Sequence, residues 1–124
     1  MAALVAEMDA AGVPLFAITN FSGEFFPPFR AAWPELFAPF RDIVVSGDER
    51  LVKPHAPIYR LAIERFGIDP ADAVFVDDRA DNVAGAAAAG MAGLIFTDAA
   101  RLRRELIALG LPLSPQPPSV APSA

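Results

Sequence analysis

Residues 13–18, Val-Pro-Leu-Phe-Ala-Ile, form an apolar run without one polar position, closed by Thr19, Asn20 and Ser22. A strand with one wet face alternates apolar and polar residues, so an unbroken run predicts a strand buried on both faces, as in a parallel sheet covered by helices. The pattern returns at 43–45 (Ile-Val-Val), 73–76 (Ala-Val-Phe-Val) and 94–96 (Leu-Ile-Phe). Helical stretches separate these runs. Residues 2–11 place Leu4, Val5, Met8 and Ala11 on one face, with Gly12 as the stop. Pro57 opens a helix carrying Ile58, Leu61, Ala62 and Phe66 on one side and ending at Gly67. Residues 82–89 are Ala-rich and closed by Gly90, and 99–109 follow a cap at Thr97 or Asp98. Strand and helix alternate, which defines an α/β fold with a parallel sheet.

Two segments break the alternation. Between residues 23 and 40, Pro27, Pro28, Pro34 and Pro39 permit only short helical pieces, while five Phe and Trp33 supply the bulk of a packed aromatic patch. Ser46-Gly47-Asp48 reads as a turn. Residues 111–124 hold five of the 13 prolines and no charged side chain, the composition of a disordered tail, leaving 1–110 as the folded unit.

With 124 residues, 54% of them apolar, the chain suits one domain with one core. Ten basic against 15 acidic side chains give a net charge of −5, which argues against a nucleic-acid partner. The absence of Cys excludes disulfides, thiolate nucleophiles and Cys-based zinc sites. No apolar run approaches the 18 or so residues of a membrane span, and Met1 is not followed by a basic leader, so a cytoplasmic location with no membrane partner is expected.

Chemistry-bearing residues gather where parallel strands end, the place where open α/β sheets bind ligands. Thr19 and Asn20 follow the first strand, Lys53 lies in the loop after the second, and Asp77, Asp78 and Asp81 follow the third. A hydroxyl, an ammonium and a group of carboxylates suit an anion and a divalent metal together, phosphate being the obvious anion. Each feature also has a plain structural role: Thr19 and Asn20 as turn residues, Lys53 as a surface lysine, Asp78 or Asp81 as a helix cap. Their joint order is what carries information. His55, the only His, sits in a Pro-rich loop with no partner that would make it a base.

The segments LFAITNFS, VVSGDERLVKPHAPIYRLAIERFGI and AVFVDDRADNVAGAAAAGM, across about residues 1–100, resemble motifs II to IV of the haloacid dehalogenase superfamily, most closely its sugar-phosphatase and dehalogenase-like branch. The resemblance implies a three-layer Rossmann-like parallel sheet, here incomplete at the N-terminus. It also implies that Thr19 and the Asn20 backbone bind a phosphoryl group and that Lys53 steadies the phosphate and nucleophile charge as a catalytic residue. Asp77 would bind Mg2+, with Asp78 or Asp81 in support, and the substrate would be a small phosphorylated metabolite.

Relatives carry, before these motifs, a strand ending in DxDx(T/V), whose first Asp is the nucleophile. No such strand precedes Thr19 in this sequence, and Asp9 lies within a helix followed by Ala10-Ala11-Gly12. The expectation is a C-terminal core portion lacking nucleophile and cap, inactive alone, with weak Mg2+ binding. In the resembling fold the absent strand lies between those ending at Thr19 and Asp77. Its loss leaves two unpaired edges or forces them to pair, and invites self-association or a complementing N-terminal segment. His55-Ala56 also stands where relatives show Asp-Pro, which removes a helix cap.

Three other readings stand beside the phosphatase one. A non-catalytic phosphate- or metal-binding module, or one that completes a partner, would share the motifs. A dehalogenase would share the fold. A response-regulator receiver is excluded by order: receivers place the acidic pair first and the Lys last.

Overall fold

In the computed structural model, which describes residues 2–114, all four apolar runs supply short parallel strands. These are β1 (Phe16–Thr19), β2 (Asp42–Val45), β3 (Val74–Asp77) and β4 (Ala92–Ile95). Helix α1 (Ala2–Ala10) precedes β1; α2 (Phe26–Ala32) and α3 (Pro34–Phe37) lie between β1 and β2. Helices α4 (Ser46–Glu49) and α5 (Ala56–Phe66) lead to β3, α6 (Ala80–Ala88) joins β3 to β4, and α7 (Ala99–Ala108) follows. No helix among the described residues is long and apolar enough to cross a membrane.

The strands form two parallel pairs. Phe16 to Thr19 stand opposite Asp42 to Val45, and Val74 to Asp77 opposite Ala92 to Ile95. Among the described residues no ladder joins β1 to β3, so the sheet is open at its middle. The two pairs nevertheless share a core. Val44, Ile58, Tyr59, Ala62, Ala86 and Met91 form a buried cluster that Ile18 of β1 and Phe75 of β3 both join, so α5 and α6 cover one face of both pairs. On the opposite face, Leu4, Met8, Leu102 and Leu106 of α1 and α7 cover β3 and β4, while Phe26 of α2 covers Ile43 and Val45 of β2.

Burial follows from the opening. Every residue of β1 and β3 is only half-buried, whereas Ile43, Val44 and Val45 of the outer strand β2 are buried. In a continuous sheet the inner strands would be the better covered ones.

Local chemistry explains the ends of the helices. Gly12 and Gly67 take left-handed conformations (φ 82° and 65°) just beyond α1 and α5, where a side chain would be strained. Asp98 caps α7 by accepting from the Arg101 N–H at 2.8 Å. His55, at the corresponding place before α5, makes no side-chain cap bond, as its departure from Asp implied.

Three expectations are corrected. Ser46-Gly47-Asp48 is not a plain turn but starts the single helical turn α4. The buried Ser46 hydroxyl accepts from Phe21 N (2.9 Å) and sits 3.2 Å from Phe21 O, which ties this turn to the loop after β1. The aromatic segment packs only in part: Phe21, Phe26, Phe29 and Phe37 interlock, but Phe25 and Trp33 stand in solvent. Residues 111–114 of the expected tail are docked on the core, because Leu111 and Leu113 pack against the α1–α7 cluster. Buried Arg103 bonds both Glu7 and the Ser114 carbonyl there. Residues 115–124 lie outside the described residues.

The crossing of α5 and α6 depends on Gly85. A Cβ there would meet Tyr59 Cε2 at 2.7 Å and Pro54 O at 2.8 Å. Gly85→Ala should therefore destabilise the chain by about 1–3 kcal/mol, overriding the gain of about 1 kcal/mol that Ala brings to a helix. An unchanged urea midpoint would show that the crossing has slack.

Candidate functional site

The loops after β1 and β2 are stitched by one side chain. Asn20 Oδ1 accepts from Lys53 N at 3.0 Å and Asn20 Nδ2 donates to Lys53 O at 3.2 Å, so both backbone groups of Lys53 are fixed. The Lys53 ammonium then reaches across the open middle of the sheet and donates to Asp77 Oδ2, at the end of β3, at 2.7 Å. Both side chains are nearly buried, 10% and 9% exposed, and the Phe75 ring centroid lies 5.7 Å from Lys53 Nζ. A buried charge needs a partner, and this pair supplies it.

Asp77 is fully engaged. Oδ2 also accepts from Asn82 Nδ2 at 3.2 Å, and Oδ1 accepts from Arg79 N at 3.0 Å. Asn82 is buried and its carbonyl accepts from the Tyr59 hydroxyl at 2.8 Å, which fixes the start of α6 to α5. Asn82 Oδ1 is buried without a partner among the described residues. Burial, then the charges of Asp77 and Asp81, push the Tyr59 hydroxyl up to about 12, so it stays a donor at neutral pH.

Burial works to raise the Asp77 carboxyl, but the Lys53 hydrogen bond, the Arg79 N–H and the Lys53 charge outweigh it and hold it below the usual carboxylate range. A depressed folded-state value means that stability is fully present above the unfolded value near 4 and is lost as pH falls through the folded one. Asp77→Asn should flatten that acid limb. Equilibrium unfolding between pH 7 and 2 checks this; parallel curves for variant and parent would mean the pair adds nothing.

The other sequence candidates divide. Thr19 ends β1, half-buried, and its hydroxyl makes no hydrogen bond among the described residues. It lies beside Asn20. Asp78 is exposed. Asp81 is turned to Arg79, with an ion pair at 3.0 Å; it stands inside the first turn of α6, where it accepts from Asn82 N at 2.9 Å, and Arg79 holds the N-cap position. His55 is exposed at the start of α5.

Magnesium prefers about six oxygen ligands in octahedral array. Among the described residues no group of three or more His, Asp or Glu side chains converges to hold a metal ion, because Asp77 faces Lys53 and Asp81 faces Arg79. As placed here, Asp77, Asp78 and Asp81 do not converge on one point. Asp78 is the member left without an ion pair.

Sequence reasoning missed the side-chain work of Asn20, whose backbone alone was assigned, and it missed Asn82 and Tyr59. The spacing was a usable signal: Asn82 lies five residues past Asp77, on the buried face of the following helix.

A Lys, a Thr and an Asn thus stand together at the carboxyl ends of parallel strands, braced by a nearly buried carboxylate, in a Rossmann-like α/β fold. The family model for haloacid dehalogenase-like hydrolases matches residues 1–90, and the chain belongs to that family. It is 32% identical over 106 residues, 86% of its length, to the sesquiterpene phosphatase astK of Aspergillus oryzae, covering 54% of that protein. It is 34% identical over 84 residues, 67% of its length, to the phosphoglycolate phosphatase of Escherichia coli K12, covering 32% of it. An uncharacterized protein from Corynebacterium glutamicum superposes with a TM-score of 0.72 at 26% identity, covering 91% of this chain and 81% of that one. The chain therefore spans about half the length of the first of these curated relatives and about a third of the second.

Proposed function

We propose that this chain is the phosphoryl-binding part of a phosphomonoester hydrolase that acts on small phosphorylated metabolites. Lys53 is the residue that meets the transferring phosphoryl group, with the Thr19 hydroxyl and the Asn20 N–H as further donors. The observation that carries the reading is the Lys53–Asp77 pair: one nearly buried ammonium, fixed at its backbone by Asn20 and at its tip by Asp77, at the carboxyl ends of three strands. An ammonium so held is preorganised for an anion and costs little further ordering when one arrives. The phosphatase relatives favour phosphate over a haloacid as the substrate anion.

The nucleophile is not among these residues. A segment entering as a strand between β1 and β3 would bring a carboxylate beside Lys53, attack phosphorus, release the alcohol and leave an aspartyl-phosphate for water to cleave. Magnesium belongs to the assembled site, where Asp77 would bind it with Asp78 or Asp81 in support. Alone, the chain binds it weakly. The 124-residue chain by itself should turn over p-nitrophenyl phosphate no faster than buffer, with or without Mg2+. Turnover that disappears in Lys53→Met would overturn the division of labour.

A further inference from the structure

We propose that Glu7 and Arg103 form a clasp for peptide backbone, that its occupant is this chain's own segment 111–114, and that the docked segment is a strap holding α1 across the open middle of the sheet. Two helices build the clasp. Arg103 of α7 and Glu7 of α1 are ion-paired at 2.6 Å, their side chains 7% and 17% exposed. Between them they take both backbone groups of one residue: Glu7 Oε1 accepts from Ser114 N at 2.9 Å, and Arg103 Nη1 donates to Ser114 O at 3.0 Å. Outside helix and sheet, backbone groups beside a core need partners of this kind. The Ser114 hydroxyl makes no hydrogen bond among the described residues, so the clasp reads backbone and not side chain. Selectivity lies in the two leucines before it, Leu111 and Leu113, which both pack against the α1–α7 cluster. Gly110, at φ 94°, aims the segment: the Gly110 and Leu111 N–H groups donate to Ile107 O and Leu106 O and turn the chain back over α7.

The place of α1 gives the strap its consequence. Leu4 and Met8 of α1 belong to the cluster that covers Val74 and Val76 of β3 and Leu94 of β4, yet residues 11–15 lead α1 straight into β1. On this face α1 therefore ties the β1–β2 pair to the β3–β4 pair, although no ladder joins them among the described residues. Nine residues make a helix that does not hold by itself, so α1 keeps its place through tertiary contacts such as the clasp. The strap follows from the open sheet alone and stands whether or not the assembled protein is a phosphatase.

Amide exchange on the full chain tests the clasp, with α5 and α6 as the internal reference for folding. Ser114→Pro removes the N–H that Glu7 accepts and should speed α1 exchange about tenfold relative to α5 and α6, the effect of losing one hydrogen bond to a charged acceptor. Leu113→Ser, which removes an apolar anchor, should act in the same direction, whereas Ser114→Ala should change nothing. The brace is read separately. The chain has no Cys, so Glu35→Cys and Ala87→Cys, at exposed positions of α3 and α6, take spin labels at those two places alone. The distance distribution between the labels should be narrow in the parent and should broaden with Ser114→Pro. Unchanged α1 exchange in Ser114→Pro, or an equal effect from Ser114→Ala, would overturn the clasp. A freed α1 with an unbroadened distance would overturn the brace. Exchange of α1 that slows with protein concentration would seat the segment of another copy in the clasp and overturn the strap.

Discussion

Lys53→Met should cost about 3–5 kcal/mol of folding stability, the range for removing one partner of a buried ion pair. The Lys53 and Asp77 side chains are 10% and 9% exposed, so solvent replaces the ammonium only in part. The carboxylate left behind would keep only the Asn82 and Arg79 donors. It would respond by taking a proton, and its pKa would rise from below the usual range to above it. Lys53→Met combined with Asp77→Asn should therefore lose less than Lys53→Met alone. That inequality separates a buried pair from a long aliphatic stem whose packing is merely missed, because lost packing would add in the double variant. A single-variant loss under about 1 kcal/mol is the signature of an exposed pair and would contradict the geometry.

The second large effect is catalytic. A peptide or fused segment that forms an apolar strand and ends in a DxDx(T/V) sequence should raise p-nitrophenyl phosphate hydrolysis above the chain alone by at least about 10²-fold, the low end of what one positioned acid/base group contributes. Replacing the first Asp of that segment by Asn, or Lys53 by Met, should return the rate to background. Release of halide from 2-chloropropionate in place of phosphate release would select the dehalogenase reading. No gain with either substrate, although the segment binds, would favour a non-catalytic phosphate-binding module.

Elements with a strong period were legible in the sequence. The runs at 13–18, 43–45, 73–76 and 94–96 each supplied part of a strand, with residues 13–15 and 73 ahead of β1 and β3 and Phe96 beyond β4, and Gly12 and Gly67 ended helices. An unbroken apolar run of this length is stable only when covered on both faces, and a glycine past an amphipathic stretch is the residue that enters the left-handed region without strain. The rest needed three dimensions. Ser46 looked like a turn residue because its partner, the backbone of Phe21, is 25 positions away. Leu111 and Leu113 looked like part of a tail because proline content says nothing about a waiting apolar groove. At the site, Lys53 and Asp77 were found by their places after strands. Their pairing was not, since position along the chain does not reveal that the carboxylate assigned to metal is already taken by the ammonium assigned to phosphate. Asn20 shows the same limit: a turn residue in sequence, it is the clasp that fixes Lys53.

Among the described residues β1 and β3 present open edges on either side of the crevice, where the proposed strand would complete both sheet and site. Amide hydrogen exchange reads this directly. In the chain alone, the β1 and β3 amides that point away from β2 and β4 should exchange far faster than those within the β1–β2 and β3–β4 ladders. Addition of the strand-forming segment should protect both sets together. Protection of those edge amides in the chain alone, unchanged by the segment, would show that the sheet is closed without it and would contradict the account.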